Sequence, residues 1–166
     1  MTDQVTPERI ASALDGFELT YFSSTDKVLV PFGETERGLA YDLIISSGSG
    51  ADLLATNTRL HLAAGLIPFD CLLLVCNSWN EIHRWPTAAV ATRADGGHSL
   101  RVNASVPFPA GATDAQLSAT LGLLLASSNL FAAKAMEIAE IGTWSATDDE
   151  LTQLTRLESD RIDPAG

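Results

Sequence analysis

Several groups of residues in this 166-residue chain have types that could do chemistry. Cys76 and His83 are a thiol and an imidazole, the pair that an activated thiol nucleophile needs. Seven residues apart on one helix, they would be separated by about 10 Å along its axis, beyond hydrogen-bond reach. His61, His83 and His98 with Glu81 carry metal-ligating side chains, yet their spacing matches no known metal site. Ser46 to Gly50 (SSGSG) is glycine-rich, but an apparent strand follows it, where a phosphate cradle needs a helix N-terminus. Asp148, Asp149 and Glu150 make a favourable helix start, and no loop glycine with spaced acids follows to make a calcium site. No nucleophile, base and orienting group come together. The expectation is no catalytic residue, no cofactor, no metal site and no enzyme.

The residues better suited to binding lie in the stretch Phe69 to Pro86, FDCLLLVCNSWNEIHRWP. It begins as an apolar helix, turns polar at Asn77, Asn80 and Glu81, and ends at Trp85-Pro86, where a strand begins. Asparagines sit poorly inside a helix because their amides compete with the backbone. One reading makes Asn80 the end of the helix, lets Asn77 bond a neighbouring loop, and uses Trp79 and Trp85 to wedge the helix end onto a sheet. The other makes Asn77, Trp79, Asn80 and Trp85 a partner-binding surface, since aromatic residues dominate binding hot spots. Cys71 and Cys76, five apart on this helix, point to different sides and read as unpaired, buried and reduced.

The elements that position this stretch follow from periodicity. Thr6-Pro7-Glu8 is a helix start, Ile10 and Leu14 share a face, and Gly16 suits a left-handed cap. Leu19 and Tyr21 alternate before a turn at Ser23 to Asp26, and Val28, Val30 and Phe32 mark a second strand, with Pro31 at its edge or end. Gly33 to Gly38 is a charged loop. Leu39, Tyr41, Leu43 and Ile45 alternate, as do Leu54, Thr56, Thr58, Leu60 and Leu62, leaving Asn57, Arg59 and His61 on the wet face. On the central helix Phe69, Leu72, Leu73 and Cys76 form a stripe continued by Trp79 or Asn80 and by His83. Asp95-Gly96-Gly97 joins two further strands in a hairpin, the second with Leu100, Val102, Ala104 and Val106 inward and Ser99, Arg101, Asn103 and Ser105 outward.

Thr113 to Gln116 is a capping box opening a helix of about 40 Å that ends near Gly142. Leu117, Leu121, Leu124, Ser128, Phe131, Ala135 and Ile138 form its stripe. Leu123, Leu125, Leu130 and Met136 lie off it. A helix apolar on more than one side must cover something besides the sheet, so a homodimer is expected with Leu123 and Leu130 in its interface. A second capping box at Thr147 to Glu150 opens a short helix in an acidic tail.

The totals set limits. A chain that is 46% hydrophobic and 19% charged folds as a globular domain. A net charge of −11 repels phosphate backbones, so nucleic acid is not an expected partner. The polar start MTDQVTPERI is unlike a signal peptide, no stretch approaches the length of a bilayer span, and a cytoplasmic protein without membrane contact is expected.

The order is helix, three or four strands, helix, two strands, long helix. Together with Asn77-Ser78-Trp79-Asn80 and Trp85-Pro86 it resembles the N-x-W-N and W-P signature of the YbjN domain, a bacterial family described as sensory transduction regulators. The resemblance covers Thr6 to Ile141. It implies a fold similar to that of type III secretion chaperones: α+β, a mainly antiparallel sheet of about five strands, and N-terminal, central and long C-terminal helices. The expected division is a domain over 6–142 and an acidic tail over 143–166. The resemblance further implies a non-enzymatic, often dimeric regulator. The leading expectation is a chaperone-like homodimer that holds an unidentified protein or peptide partner; the alternative is a small-molecule sensor with a pocket between the long helix and the sheet.

Overall fold

The computed structural model describes residues 3–33, 40–48, 52–61, 67–93 and 96–143. Six antiparallel strands form one sheet: β1 (Phe22–Ser23), β2 (Lys27–Phe32), β3 (Ala40–Ser47), β4 (Leu53–His61), β5 (Thr87–Thr92) and β6 (His98–Pro107). Their spatial order is β1-β2-β3-β4-β6-β5. The helices are α1 (Pro7–Asp15), α2 (Phe69–Ile82) and α3 (Asp114–Thr143). The α+β architecture is the expected one. Of the three or four strands expected before the central helix the structure has four; the first, read from the alternation of Leu19 and Tyr21, is instead β1, two exposed residues paired to Leu29 and Val28.

Alternation sorts the sheet into two faces. Tyr41, Leu43 and Ile45 on β3, Leu54, Thr56, Thr58 and Leu60 on β4, and Leu100, Val102 and Ala104 on β6 are buried beneath the helices. The intervening residues face away from them. Because β1 pairs only with the start of β2, Pro31 lies on a stretch of β2 whose outer side is bare, where its missing N–H interrupts no ladder. Beside the hairpin of β5 and β6, Gly96 has a φ of 79°, the left-handed conformation that a tight turn asks of glycine.

Caps fix the helix starts. Thr6 accepts from the Arg9 amide. Thr113 and Gln116 bond reciprocally, Thr113 N–H to Gln116 Oε1 at 2.9 Å and Gln116 N–H to Thr113 Oγ1 at 3.2 Å, the expected capping box. Arg9 ties α1 to the start of α3 through the Ala112 carbonyl and the Asp114 carboxylate. Gly16 is right-handed, with a φ of −66°; the helix instead unwinds through two tight backbone bonds, and the left-handed residue is Glu18, with a φ of 56°.

Helix α3 buries Leu117, Leu121, Leu124, Ser128, Phe131 and Ala135. Leu125, expected off this stripe, is buried too, and Met136 is half-buried against the core. The buried side is wide because α3 meets α1 near one end and α2 near the other, besides the sheet. The segment Asp114–Glu137 has the length and mean hydropathy of a bilayer-crossing helix, which corrects the expectation that no stretch approaches one. Length and composition do not separate such a span from the core helix of a soluble domain, and here one side of the segment packs on the sheet. The acidic tail and its capping box at Thr147, residues 34–38 of the charged stretch, Leu39, Gly50, Leu62, Asp95 and the side chains of His61 and Ile138 lie outside the described residues.

Candidate functional site: the corner between the central helix and the edge strand

Helix α2 buries Leu72, Val75, Cys76 and Trp79, spaced three, one and three apart. Val75 takes the place expected of Leu73, and Phe69 and Leu73 are exposed. Seven apolar residues in the first eight leave the face of this helix undetermined until its neighbours are known. Phe69 leans on the His98 ring, 4.7 Å away between centroids.

Trp79 is the pivot. It is 3% exposed, meets Phe131 of α3 edge-on at 5.1 Å, and stacks on His83 at 4.1 Å. Its indole N–H donates to the Pro86 carbonyl at 2.8 Å, satisfying the one polar atom that burying a tryptophan would strand. The Trp85-Pro86 peptide is cis.

Asn80 completes the corner. Its Nδ2 donates to the Ala88 carbonyl at 2.9 Å, and the Ala88 N–H donates back to its Oδ1 at 2.8 Å. Both backbone groups of Ala88 are therefore taken by one side-chain amide on the side of β5 away from β6. The helix runs on to Ile82, so Asn80 does not end it. Asn77, expected to bond a neighbouring loop, is exposed on the far side of α2 from the buried stripe, and Trp85 is 38% exposed. Of the four candidate residues, Trp79 and Asn80 are spent within the fold, and Asn77 and Trp85 face solvent.

The groups weighed for catalysis stay apart. Burial pushes the Cys76 thiol up to about 11, so it is protonated and a weak nucleophile near neutrality. His83 lies against Trp79 and His98 against Phe69. Among the described residues no three His, Cys, Asp or Glu side chains cluster as a metal site would require.

A cleft of about 790 Å³ lies between the second half of α3 and the sheet. Phe32 and Tyr41 form one wall, their rings stacked at 4.5 Å. Leu130, Ala133, Met136 and the Lys134–Glu137 ion pair line the other. Tyr41 donates its hydroxyl to Asn129 Oδ1, and burial pushes its phenol up to about 12. On the solvent side of α3, Leu123 is 55% exposed and Leu130 52%.

The family model described as "YbjN: Putative bacterial sensory transduction regulator" matches residues 6–135. Among solved structures, the chain is similar to the one described as "Crystal structure of YbjN, a putative transcription regulator from E. coli". That match has a TM-score of 0.55 and 17% identity, and covers 83% of this chain and 93% of the other. At that identity the likeness is one of fold. No curated protein matches the chain. The family match takes in the sheet, α1, α2 and most of α3, and the chain belongs to the YbjN family.

Proposed function

We propose that the chain is a non-enzymatic regulatory module that acts as a homodimer and holds a partner polypeptide. The observation that carries this reading is the outer face of α3. Ala119, Leu123, Ala126, Leu130, Ala133 and Glu137 are all exposed and follow one another at steps of four and three. That is heptad spacing, with alanine at one core position and leucine, twice, at the other; alanine lets a second helix approach closely. A second copy offers the same face, and a two-fold axis makes the pairing self-complementary. The partner polypeptide would bear on the two signature residues that stay exposed, Asn77 and Trp85.

Light scattering after size exclusion tests the dimer. The wild type should run as a dimer at micromolar concentration. Leu123→Asp or Leu130→Asp should give a folded monomer, whereas Leu121→Asp or Leu124→Asp, on the buried side, should unfold it. A monomeric wild type overturns the reading. Trp85→Ala should keep the dimer and lose the partner; undiminished partner binding overturns that part alone.

The cleft between α3, Phe32 and Tyr41 favours a second reading, a small-molecule-sensing module. Its volume falls in the range of ligand pockets, and its mostly apolar lining carries a few polar groups, the Asn129 amide and the Lys134–Glu137 pair. Met136→Trp should fill it. A ligand lost from that variant while the dimer persists would favour sensing over partner holding.

A further inference from the structure

The sheet face turned away from the helices holds a two-by-two block of polar residues on neighbouring strands. Asn57 and Arg59 of β4 stand opposite Asn103 and Arg101 of β6. Like charges directly opposite one another are unfavourable in a sheet, and the two asparagines bring no charge to offset them. Arg59 Nε donates to Asn57 Oδ1 at 2.8 Å, and Asn57 Nδ2 donates in turn to Asn103 Oδ1. Each amide oxygen accepts one of these bonds, and what the block has most to offer is donors: guanidinium N–H groups and the Asn103 amide nitrogen. Arg101 Nε is buried with no hydrogen-bond partner. Asp42, the one acid in register with the block, stands across from Arg59 on β3 and is itself engaged.

We infer that this block is an oxyanion site and that its ligand is a phosphate group. Two guanidinium forks and an amide carry more donors than the two oxygens of one carboxylate can accept well. A phosphate has the extra oxygens and a charge near −2 to set against the two arginines. The net charge of −11 repels extended polyanions, but at physiological salt it is largely screened beyond about 8 Å, so a compact anion meets the local pair. In register beside Asn57 run Ile44 and then Leu29, both half-buried, an apolar strip on which the body of a phosphate ester can rest. The site lies on the opposite side of the sheet from α3 and does not depend on dimerisation.

Titration of the full-length protein with inorganic phosphate and with phenyl phosphate, followed at the arginine Nε–H resonances, tests the site. Both probes should shift two of these resonances saturably at millimolar concentration in physiological salt. Arg101→Ala should weaken binding about tenfold or more, and Arg101→Lys should weaken it too, because the charge without the fork is not enough. Asp42→Asn should tighten it. Tighter binding of phenyl phosphate that Ile44→Ser abolishes would identify a phosphate ester as the ligand, and equal binding of the two probes would identify free phosphate. Shifts that grow without saturating, or an unchanged titration in a folded Arg101→Ala protein, would overturn the inference.

Discussion

Beneath the three helices the core divides into two clusters of different chemistry. Around α1, β2 and the first half of α3 it is aliphatic: Val5, Ile10, Leu14, Val28, Leu117 and Leu121. Around α2, β5 and the second half of α3 it is built on Tyr41, Trp79 and Phe131, with Cys76. Phe32 packs against both. These aliphatic side chains carry no polar atoms to satisfy, and area drives their burial. In the aromatic half Tyr41 and Trp79 each need a particular acceptor, Asn129 Oδ1 and the Pro86 carbonyl, so the positions of α3 and of the chain entering β5 are specified as well as stabilised. Exposed apolar residues flank both halves: Leu73, Leu74, Ile82, Trp85 and Leu130 around the aromatic one, Phe17, Phe22 and Leu123 around the aliphatic one. What separates the halves is how they are held, one by area and the other by area together with bonded polar atoms.

If that division is sound, the largest effects come from removing the anchor of either half. Trp79→Ala should cost about 3–5 kcal/mol, and Leu121→Ala about 2–5 kcal/mol. Each should shift one and the same cooperative transition in denaturant melts. A Trp79→Ala protein that melts in two steps, the α1 half surviving the first, would split the domain into two units. Next comes Asn80→Ala, expected to cost about 1–3 kcal/mol because both backbone groups of Ala88 lose their partner. Hydrogen exchange should report lost protection at the Ala88 amide, and Asn80→Asp, which still accepts from that amide, should retain part of it. Unchanged exchange in Asn80→Ala would remove the corner from the account.

A smaller effect is confined to the aromatic half and to alkaline pH. Burial raises the Tyr41 phenol from 10.0 to about 12 and the Cys76 thiol from 9.0 to about 11. The unfolded chain releases these protons first. Their contribution is whole below the unfolded values and is lost as pH rises from 9 to 11 for Cys76 and from 10 to 12 for Tyr41. Melting temperature followed across that range should fall less steeply in Tyr41→Phe and Cys76→Ala than in the wild type; identical slopes would show that these groups do not govern the loss. Smallest of all is Asn77→Ala. The residue is exposed, and a change within about 0.5 kcal/mol is expected in thermal melts. A large loss would return Asn77 to the corner beside Asn80.

Legibility in the sequence follows the same division. Where burial depends on period, the residues announce it. The alternation of Tyr41, Leu43 and Ile45, the Thr113 to Gln116 capping box and the stripe from Leu117 to Ala135 stand as expected. The expected face of α2 departs from the observed one at Val75 and Leu73, because an apolar run points every way at once. Leu125 is buried against expectation because two helices flanking α3 widen its buried side, which no single-helix period encodes. The bonds of Asn80 to Ala88 depend on how the chain turns between α2 and β5, and the arginine block depends on β4 meeting β6 across an intervening helix and strand. Long-range pairing of that kind leaves no local mark, although alternation alone turns Arg59 and Arg101 outward.

The grip of Asn80 on Ala88 also bears on how the protein keeps to itself in a crowded solution. A sheet ends in a row of unsatisfied amides and carbonyls, and such a row seeds the stacking of one molecule upon another. At β5 a side-chain amide fills the first outward-facing station as a short length of strand would, so an incoming chain finds that position occupied. At the other border the two-residue β1 and then Pro31 leave little to copy. A variant lacking the Asn80 amide would therefore aggregate on storage out of proportion to its lost stability, with fibril-sensitive dye fluorescence rising faster than in a core variant of equal melting temperature that keeps the amide.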